Sequence, residues 1–203
     1  MHSPHTEAEI LTIVSHILSL PDCVNGCIVE AGAFKGSSTA KLSHAAARAG
    51  RDMVVFDSFE GLPDDVQPPF KPGNYCGTLD EVRAHVRAYG RPERCSYIKG
   101  WFEETLPNFD QPIAAAFVDV DLATSVRTCL RFLYPLLSPG GTIFSHDGHI
   151  GPVVEVFRDT VFWENEVGFP RPDIEGLGHR KLLKVVKEST DIAAEDLVKE
   201  GAG

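Results

Sequence analysis

The sequence predicts an α/β fold, a mostly parallel sheet with helices on both faces. Three observations carry that expectation. Short unbroken apolar runs, such as Met53-Val54-Val55-Phe56 and Ile113 to Val118, have the composition of strands buried on both faces. Stretches with apolar residues at helical spacing alternate with these runs. The runs end in polar or glycine-bearing turns (Glu30-Ala31-Gly32, Asp57, Asp119-Val120-Asp121, Ser145-His146-Asp147), where open parallel sheets bind their ligands.

Taken in order, Thr6-Glu7-Ala8-Glu9 forms a capping box, and Ile10, Ile13, Val14, Ile17 and Leu18 continue a helix to about Leu20, where Pro21 stops it. Cys27-Ile28-Val29 is a strand, Ser37 to Ala49 a helix closed by Gly50, and Met53 to Phe56 a second strand. Thr78-Leu79-Asp80-Glu81 opens a second capped helix ending at Gly90. A strand near Ser96-Tyr97-Ile98 and a short helix from Phe102 follow. Ile113 to Val118 is the fourth strand. A helix from Ala123 to Leu137 is expected to close at Ser138-Pro139-Gly140-Gly141, before a fifth strand at Thr142-Ile143-Phe144. Pro152 starts a helix to about Trp163, and Leu182 to Val186 is a late strand. The polar stretch from Lys187 to Gly203 is expected to be a marginal helix with a frayed end.

A length of 203 residues and 22.2 kDa fits one domain over 1–203, with a short N-terminal helical segment (1–26), a loop at 58–78 and a polar tail at 188–203. A chain of this size buries roughly 70% of its unfolded surface and needs no disulfide or metal staple. Acidic residues number 29 against 19 basic, a formal charge of −10. That surface argues against nucleic acid or an anionic membrane as the main partner. No apolar run approaches the ~18 residues of a membrane span. Residues 1–9 carry no basic leader, and the five cysteines (23, 27, 76, 95 and 129) include no Cys-x-x-Cys. These features lead us to expect reduced, mostly buried thiols and a cytoplasmic location; a homodimer is compatible with them.

The turn Glu30 to Ser38 contains Gly32 and Gly36, which let a ligand approach the backbone, and the following helix offers free N–H groups. Asp57 ends the next strand, 25 residues after Gly32, where an acid suits paired ribose hydroxyls. A tight turn with solvated carboxylates is the plainer reading; strand, turn, helix and Asp57 together favour a nucleoside cofactor. Asp119 and Asp121 point the same way if their strand stays extended, and Asp147 joins them if the fourth and fifth strands are neighbours. Three converging carboxylates call for a cation, and oxygen ligands suit Mg²⁺. Helix capping by Asp121 and Asp147 is the alternative. His146 is either a ligand or a supporting group, and His149 flanks the same turn. Ser58 to Gly77, rich in proline and glycine, is a lid or a surface insertion. Trp101 either stacks on a purine or packs in the core.

Three stretches resemble the macrocin O-methyltransferase family of sugar methyltransferases: Ile28 to Ser38, Val55 to Pro63 (with Phe56-Asp57-Ser58-Phe59-Glu60-Gly61-Leu62-Pro63), and Ile98 to Pro107. The match continues through Asp119 to Leu122, Leu133 to Gly141 and His146-Asp147. The resemblance implies a class I methyltransferase (Rossmann-like) fold using S-adenosylmethionine and usually Mg²⁺, with Mn²⁺ an option for a histidine ligand. It implies that Glu30, Gly32, Phe34, Gly36 and Ser37 line the methionine end, that Asp57 with Ser58 holds the ribose, and that Gly100 and Trp101 flank the adenine. It also implies Asp119, next to the cofactor, and Asp147 as metal ligands, and His146, beside Asp147 in the chain, is our added candidate ligand. Asp121 is the expected general base and His149 its rival. The chain departs from the family pattern at Val120, at Ala123 where tyrosine is usual, at His146 where an acid is usual, and in its short N-terminal arm. The expected activity is O-methylation of a hydroxyl, of sugar type, on a small natural product of antibiotic biosynthesis. The alternatives are an NAD(P)-dependent oxidoreductase, for which Gly-x-Gly-x-x-Gly is missing, and a non-catalytic methyltransferase-like binding protein.

Overall fold

The computed structural model describes residues 5–66 and 68–188. The order of elements is α1 (Glu7–Ser19), β1 (Cys27–Ala31), α2 (Ser37–Arg48), β2 (Met53–Asp57), α3 (Leu79–Tyr89), β3 (Cys95–Lys99), α4 (Phe102–Thr105), β4 (Ile113–Val118), α5 (Ala123–Leu136), β5 (Leu137–Ser145), α6 (Gly151–Arg158), α7 (Thr160–Phe162), β6 (Ile174–Glu175) and β7 (Leu183–Val186). The seven strands are ordered β3-β2-β1-β4-β5-β7-β6, parallel in the pairs β1/β2, β2/β3 and β4/β5 and antiparallel in β5/β7 and β6/β7. The expected mostly parallel α/β fold is therefore present. The chain divides into two compact units: residues through Leu20 with Cys27–Thr105, and Pro21–Gly26 with the residues from Leu106 onward.

In the first unit, β1 and β2 are apolar throughout because both faces are covered. Helices α1 and α3 begin at the expected capping boxes, with Thr6 paired to Glu9 and Thr78 to Glu81. The α2 C-terminus closes on left-handed Gly50, whose N–H donates to Ala47, while Arg51 N–H donates to Ala46.

In the second unit, β4 is buried over its whole length, and Trp163 and Tyr134 meet edge to face at 5.0 Å, both fully buried. Three expectations are corrected here. Ser138 to Gly141 does not merely close α5; it belongs to β5, because Gly140 N–H donates to the Lys187 carbonyl and Lys187 N–H to the Gly141 carbonyl. A register shift opposite Ile113 and Ala115 absorbs the extra residues. The helix from Pro152 does not run to Trp163. Asp159 leaves helical geometry (ψ 94°), and its carboxylate accepts from Phe162 N–H, capping a new turn that widens into a π turn at Trp163–Val167. Arg127 holds the break by pairing with Asp159 and Glu166 at 3.2 and 2.6 Å.

Lys187 is the third correction, since it is no part of a polar tail. It is buried, its ammonium donates to the Pro135 carbonyl at 2.8 Å, and it lies 4.6 Å from the Phe169 ring centre. The remainder of the expected tail helix, 189–203, lies outside the described residues. The cysteines are free, but only Cys27 and Cys129 are buried, so the expectation of mostly buried thiols is also corrected. No helix among the described residues is long and apolar enough to cross a membrane.

Candidate active site

The glycine turn of the first unit is shaped by left-handed backbone at Gly32, Phe34 and Gly36 (φ 91°, 47° and 80°). Gly36 has a second reason to lack a side chain: a Cβ there would lie 3.1–3.3 Å from Val82 on α3. Helices α1 and α3 fill their N-terminal donors with threonine boxes, whereas α2 begins at Gly36 with no side-chain cap. Its first N–H groups thus point to the region beyond β1, as anion-binding helix starts do. Ser37 is the first helical residue, and its hydroxyl accepts from the Lys41 ammonium at 3.3 Å.

Asp57 is the hub of this half. Its Oδ2 accepts from the N–H groups of Ala33 (2.6 Å) and Phe34 (3.4 Å), and its Oδ1 accepts from Phe59 N–H (2.6 Å). Burial raises its pKa above the ordinary carboxylate range, and these three donors offset only part of the rise. A carboxylate offers about four acceptor positions, so one is left for a ligand hydroxyl. Glu30 is completely buried and accepts from the Thr39 hydroxyl at 2.5 Å, tying β1 to α2. Ser58 makes a local turn, accepting from Glu60 N–H and donating to the Gly61 carbonyl. Gly100 (φ 147°) donates to the Asp57 carbonyl, and half-buried Trp101 starts α4 by accepting from Glu104 and Thr105.

The loop at 58–78 is stitched at its base. Leu62 and Asn74 pair through their backbones, the Cys76 thiol reaches the Phe59 carbonyl, and Tyr75 meets Phe34 edge-on at 6.1 Å. Gly77 passes so close to the glycine turn that a Cβ would fall 1.8 Å from the Phe34 carbonyl oxygen.

In the second unit, Val118 pairs with Ser145, so Asp119 and His146 leave adjacent strand ends. Their Oδ1 and Nδ1 atoms are 3.2 Å apart, with His146 buried and Asp119 partly exposed. Asp147 is buried, and its Oδ2 accepts from the N–H groups of Val120 (3.0 Å) and Asp121 (3.1 Å). The capping alternative does not hold, since neither α5 nor α6 has a side-chain cap; Asp147 Oδ2 instead holds the turn that precedes α5. The chain does not stay extended after Asp119: Leu122 N–H donates back to Val120 and Asp121 is left-handed (φ 60°). This turn, rather than strand alternation, keeps Asp121 beside Asp119. Burial first and Asp119 second push Asp121 up to about 6, and the same two causes raise Asp147. His149 is exposed, and partial desolvation and the Lys181 charge depress its pKa. Lys181 is among the residues the sequence reading missed; the return of β7 brings its backbone against Gly148.

A model of the methyltransferase domain matches residues 29–148. The chain belongs to this methyltransferase family. Two curated relatives are a rhamnosyl-tetracenomycin C 4'-O-methyltransferase of Streptomyces olivaceus (31% identical, 78% of this chain and 66% of that one) and a demethyldecarbamoylnovobiocin O-methyltransferase of Streptomyces niveus (27%, 70% and 66%). The chain thus spans just under two thirds of their length. Among solved structures, the O-methyltransferase NovP is similar with a TM-score of 0.74 at 21% identity (88% of this chain, 79% of that one). The calicheamicin methyltransferase CalS11 gives 0.66 at 20% (91% and 80%). At these identities the two structures establish the fold, and that fold is the class I methyltransferase one.

Proposed function

We propose that the protein is an S-adenosylmethionine-dependent O-methyltransferase that methylates a hydroxyl, of sugar type, on a small natural product. The observation that carries this reading is the cluster at the ends of β4 and β5, where Asp121 and His149 accompany the Asp119–His146 pair. Family membership supplies the reaction class. The two relatives named for glycosylated antibiotics, with the macrocin-type motifs at Val55 to Pro63 and Ile98 to Pro107, support the acceptor class.

S-adenosylmethionine, when bound, supplies an electrophilic methyl group and leaves as a neutral thioether. The glycine turn and the uncapped start of α2 receive its methionine end, Asp57 accepts from a ribose hydroxyl, and Gly100 and Trp101 border the base. Glu30 and Ser58 act behind these contacts, holding the turn and the loop in shape. Asp121 takes the proton of the acceptor hydroxyl as its oxygen bonds to the methyl carbon. His149 borders the same space and is the competing base.

The donor set also fits a divalent ion. Asp119 Oδ1 and His146 Nδ1 stand 3.2 Å apart as a hydrogen-bonded pair, near enough for both to reach one ion. Asp147 Oδ1 accepts from no backbone donor, but among the described residues it does not join Asp119 and His146 in one close set of ligand atoms. Asp119 and His146 would hold such an ion, with Asp147 joining them by rotation of its side chain, and the ion would make a neighbouring hydroxyl more acidic. An imidazole ligand tilts the choice from Mg²⁺ toward Mn²⁺.

The test is transfer of isotopically labelled methyl from S-adenosylmethionine to a panel of deoxysugar glycosides, with and without EDTA. Label on the sugar, lost in EDTA and restored by Mg²⁺ or Mn²⁺, is expected. Full transfer in EDTA would reject metal assistance. S-adenosylhomocysteine binding without transfer to any glycoside would favour the non-catalytic binding protein.

A further inference from the structure

Apart from glycines, three of the described residues of the first unit have left-handed backbone, and all are aromatic: Phe34, Phe59 and Tyr75 (φ 47°, 56° and 58°). In that conformation the Cβ crowds the following carbonyl, so an ordinary side chain stays there only where its surroundings hold it. One circuit of contacts links the three. Asp57 accepts from Phe34 N–H through Oδ2 (3.4 Å) and from Phe59 N–H through Oδ1 (2.6 Å). The Cys76 thiol donates to the Phe59 carbonyl, and the Tyr75 ring stands edge-on to the Phe34 ring, with centroids 6.1 Å apart. Gly77 lies so close to the Phe34 carbonyl that a Cβ would fall 1.8 Å from its oxygen and 2.5 Å from its carbon. The limb that carries Tyr75 is itself tied back: Leu62 N–H donates to the Asn74 carbonyl and Gly73 N–H to the Leu62 carbonyl, both at 2.9 Å. Tyr75 remains 51% exposed, so core burial is not what places its ring.

We propose that Tyr75 is a positioning residue for the cofactor turn: its ring, seated by Gly77, clamps Phe34 in left-handed backbone and so couples the loop at 58–78 to ligand binding. The inference rests on reading Gly32 to Gly36 as the place of the cofactor's methionine end. Of the three left-handed residues in that turn, Phe34 alone is not glycine, so it is the one that outside contacts must hold. Without the Tyr75 ring, Phe34 is free to return to ordinary backbone, which carries its N–H away from Asp57 and turns the peptides leading to Gly36. A ligand then binds only the fraction of molecules whose turn is formed, and its affinity falls by that fraction. Linkage is reciprocal, so a ligand seated on the turn also holds the limb from Asn74 to Gly77 in place.

The experiment compares the wild type with Tyr75→Ala and Tyr75→Phe on the full chain, by hydrogen exchange resolved to the Phe34 amide and by S-adenosylhomocysteine calorimetry. Without ligand, Tyr75→Ala is expected to speed exchange at Phe34 about three- to tenfold, the size set by losing one aromatic pair, while Tyr75→Phe stays within about twofold. S-adenosylhomocysteine should bind Tyr75→Ala more weakly by a similar factor, and Tyr75→Phe should restore it. In the wild type, saturating ligand should slow exchange at residues 74–77. Gly77→Ala, which pushes the limb off Phe34 and leaves the Tyr75 ring in the chain, should loosen the same amide. Unchanged exchange at Phe34 in Tyr75→Ala, or faster exchange with intact affinity, overturns the proposal. So does a Tyr75→Phe protein that behaves like Tyr75→Ala. A wild type that does not bind S-adenosylhomocysteine fails differently: it removes the methyltransferase reading, and this proposal with it, whatever the exchange shows.

Discussion

Asp121 gathers the two properties a general base needs at neutral pH, a pKa raised to about 6 and a place beside the other groups of the cluster. Asp121→Asn is expected to cut turnover by ~10²–10⁴-fold with S-adenosylhomocysteine affinity nearly intact, whereas His149→Ala costs much less. Steady-state kinetics with the reverse ranking would transfer the role to His149. Asp57 is a sharper case, because its carboxylate both offers a ligand site and holds three backbone donors. Asp57→Ala should weaken S-adenosylhomocysteine at least about tenfold and also destabilise the fold by ~1–3 kcal/mol, the cost of stranding buried donors. Calorimetry and urea unfolding separate the two, and intact affinity would end the ribose assignment. The acids of the site were legible in the sequence because each ends an apolar run. Lys181 was not, since it follows no motif and stands 34 positions after Asp147. The partners of Asp57 were equally hidden, because backbone N–H groups leave no mark on residue type.

At the scale of elements, sequence and structure agree where one local rule decides the outcome. The threonine boxes at Thr6 and Thr78 set helix starts, Gly50 ends α2, and the apolar runs are strands. Disagreement appears where a distant segment outbids the local rule. Ser138-Pro139-Gly140-Gly141 has turn composition, yet Lys187 supplies ladder partners for Gly140 and Gly141 and draws them into β5. Asp159 is unremarkable within a helical pattern, but Arg127 and Phe162 N–H stabilise it as a break. The same Lys187 finishes α5: Pro135 lies in the last turn of that helix, and the buried ammonium takes the carbonyl that the helix leaves open. Lys187→Met keeps the stem between Tyr134 and Phe169 but orphans that carbonyl. The expected loss is ~1.5–3 kcal/mol, the range for hydrogen bonds to charged groups, read as a lower urea midpoint with an unchanged slope. An unchanged midpoint would mean that the ammonium contributes nothing beyond its stem.

For the whole molecule, the charge of −10 bears on partners rather than on fold, and it suits a small neutral or cationic ligand better than a polyanion. The decisive global measurement is thermal unfolding with candidate cofactors. A ligand at a hundredfold its dissociation constant stabilises the native state by ~2.7 kcal/mol. For a chain of about this size each kcal/mol is worth roughly 2–4 °C, so S-adenosylhomocysteine is expected to raise the midpoint by about 5–10 °C. NAD and NADP at the same concentration should leave it unchanged; a shift with either one, and none with S-adenosylhomocysteine, would restore the oxidoreductase alternative. The turn at Gly32 to Gly36, Asp57 and Trp101 all belong to the first compact unit. The stabilisation therefore attaches to the unfolding of that unit. If the two units melt separately, the cofactor should move one transition and leave the other in place, and differential scanning calorimetry resolves which of these occurs.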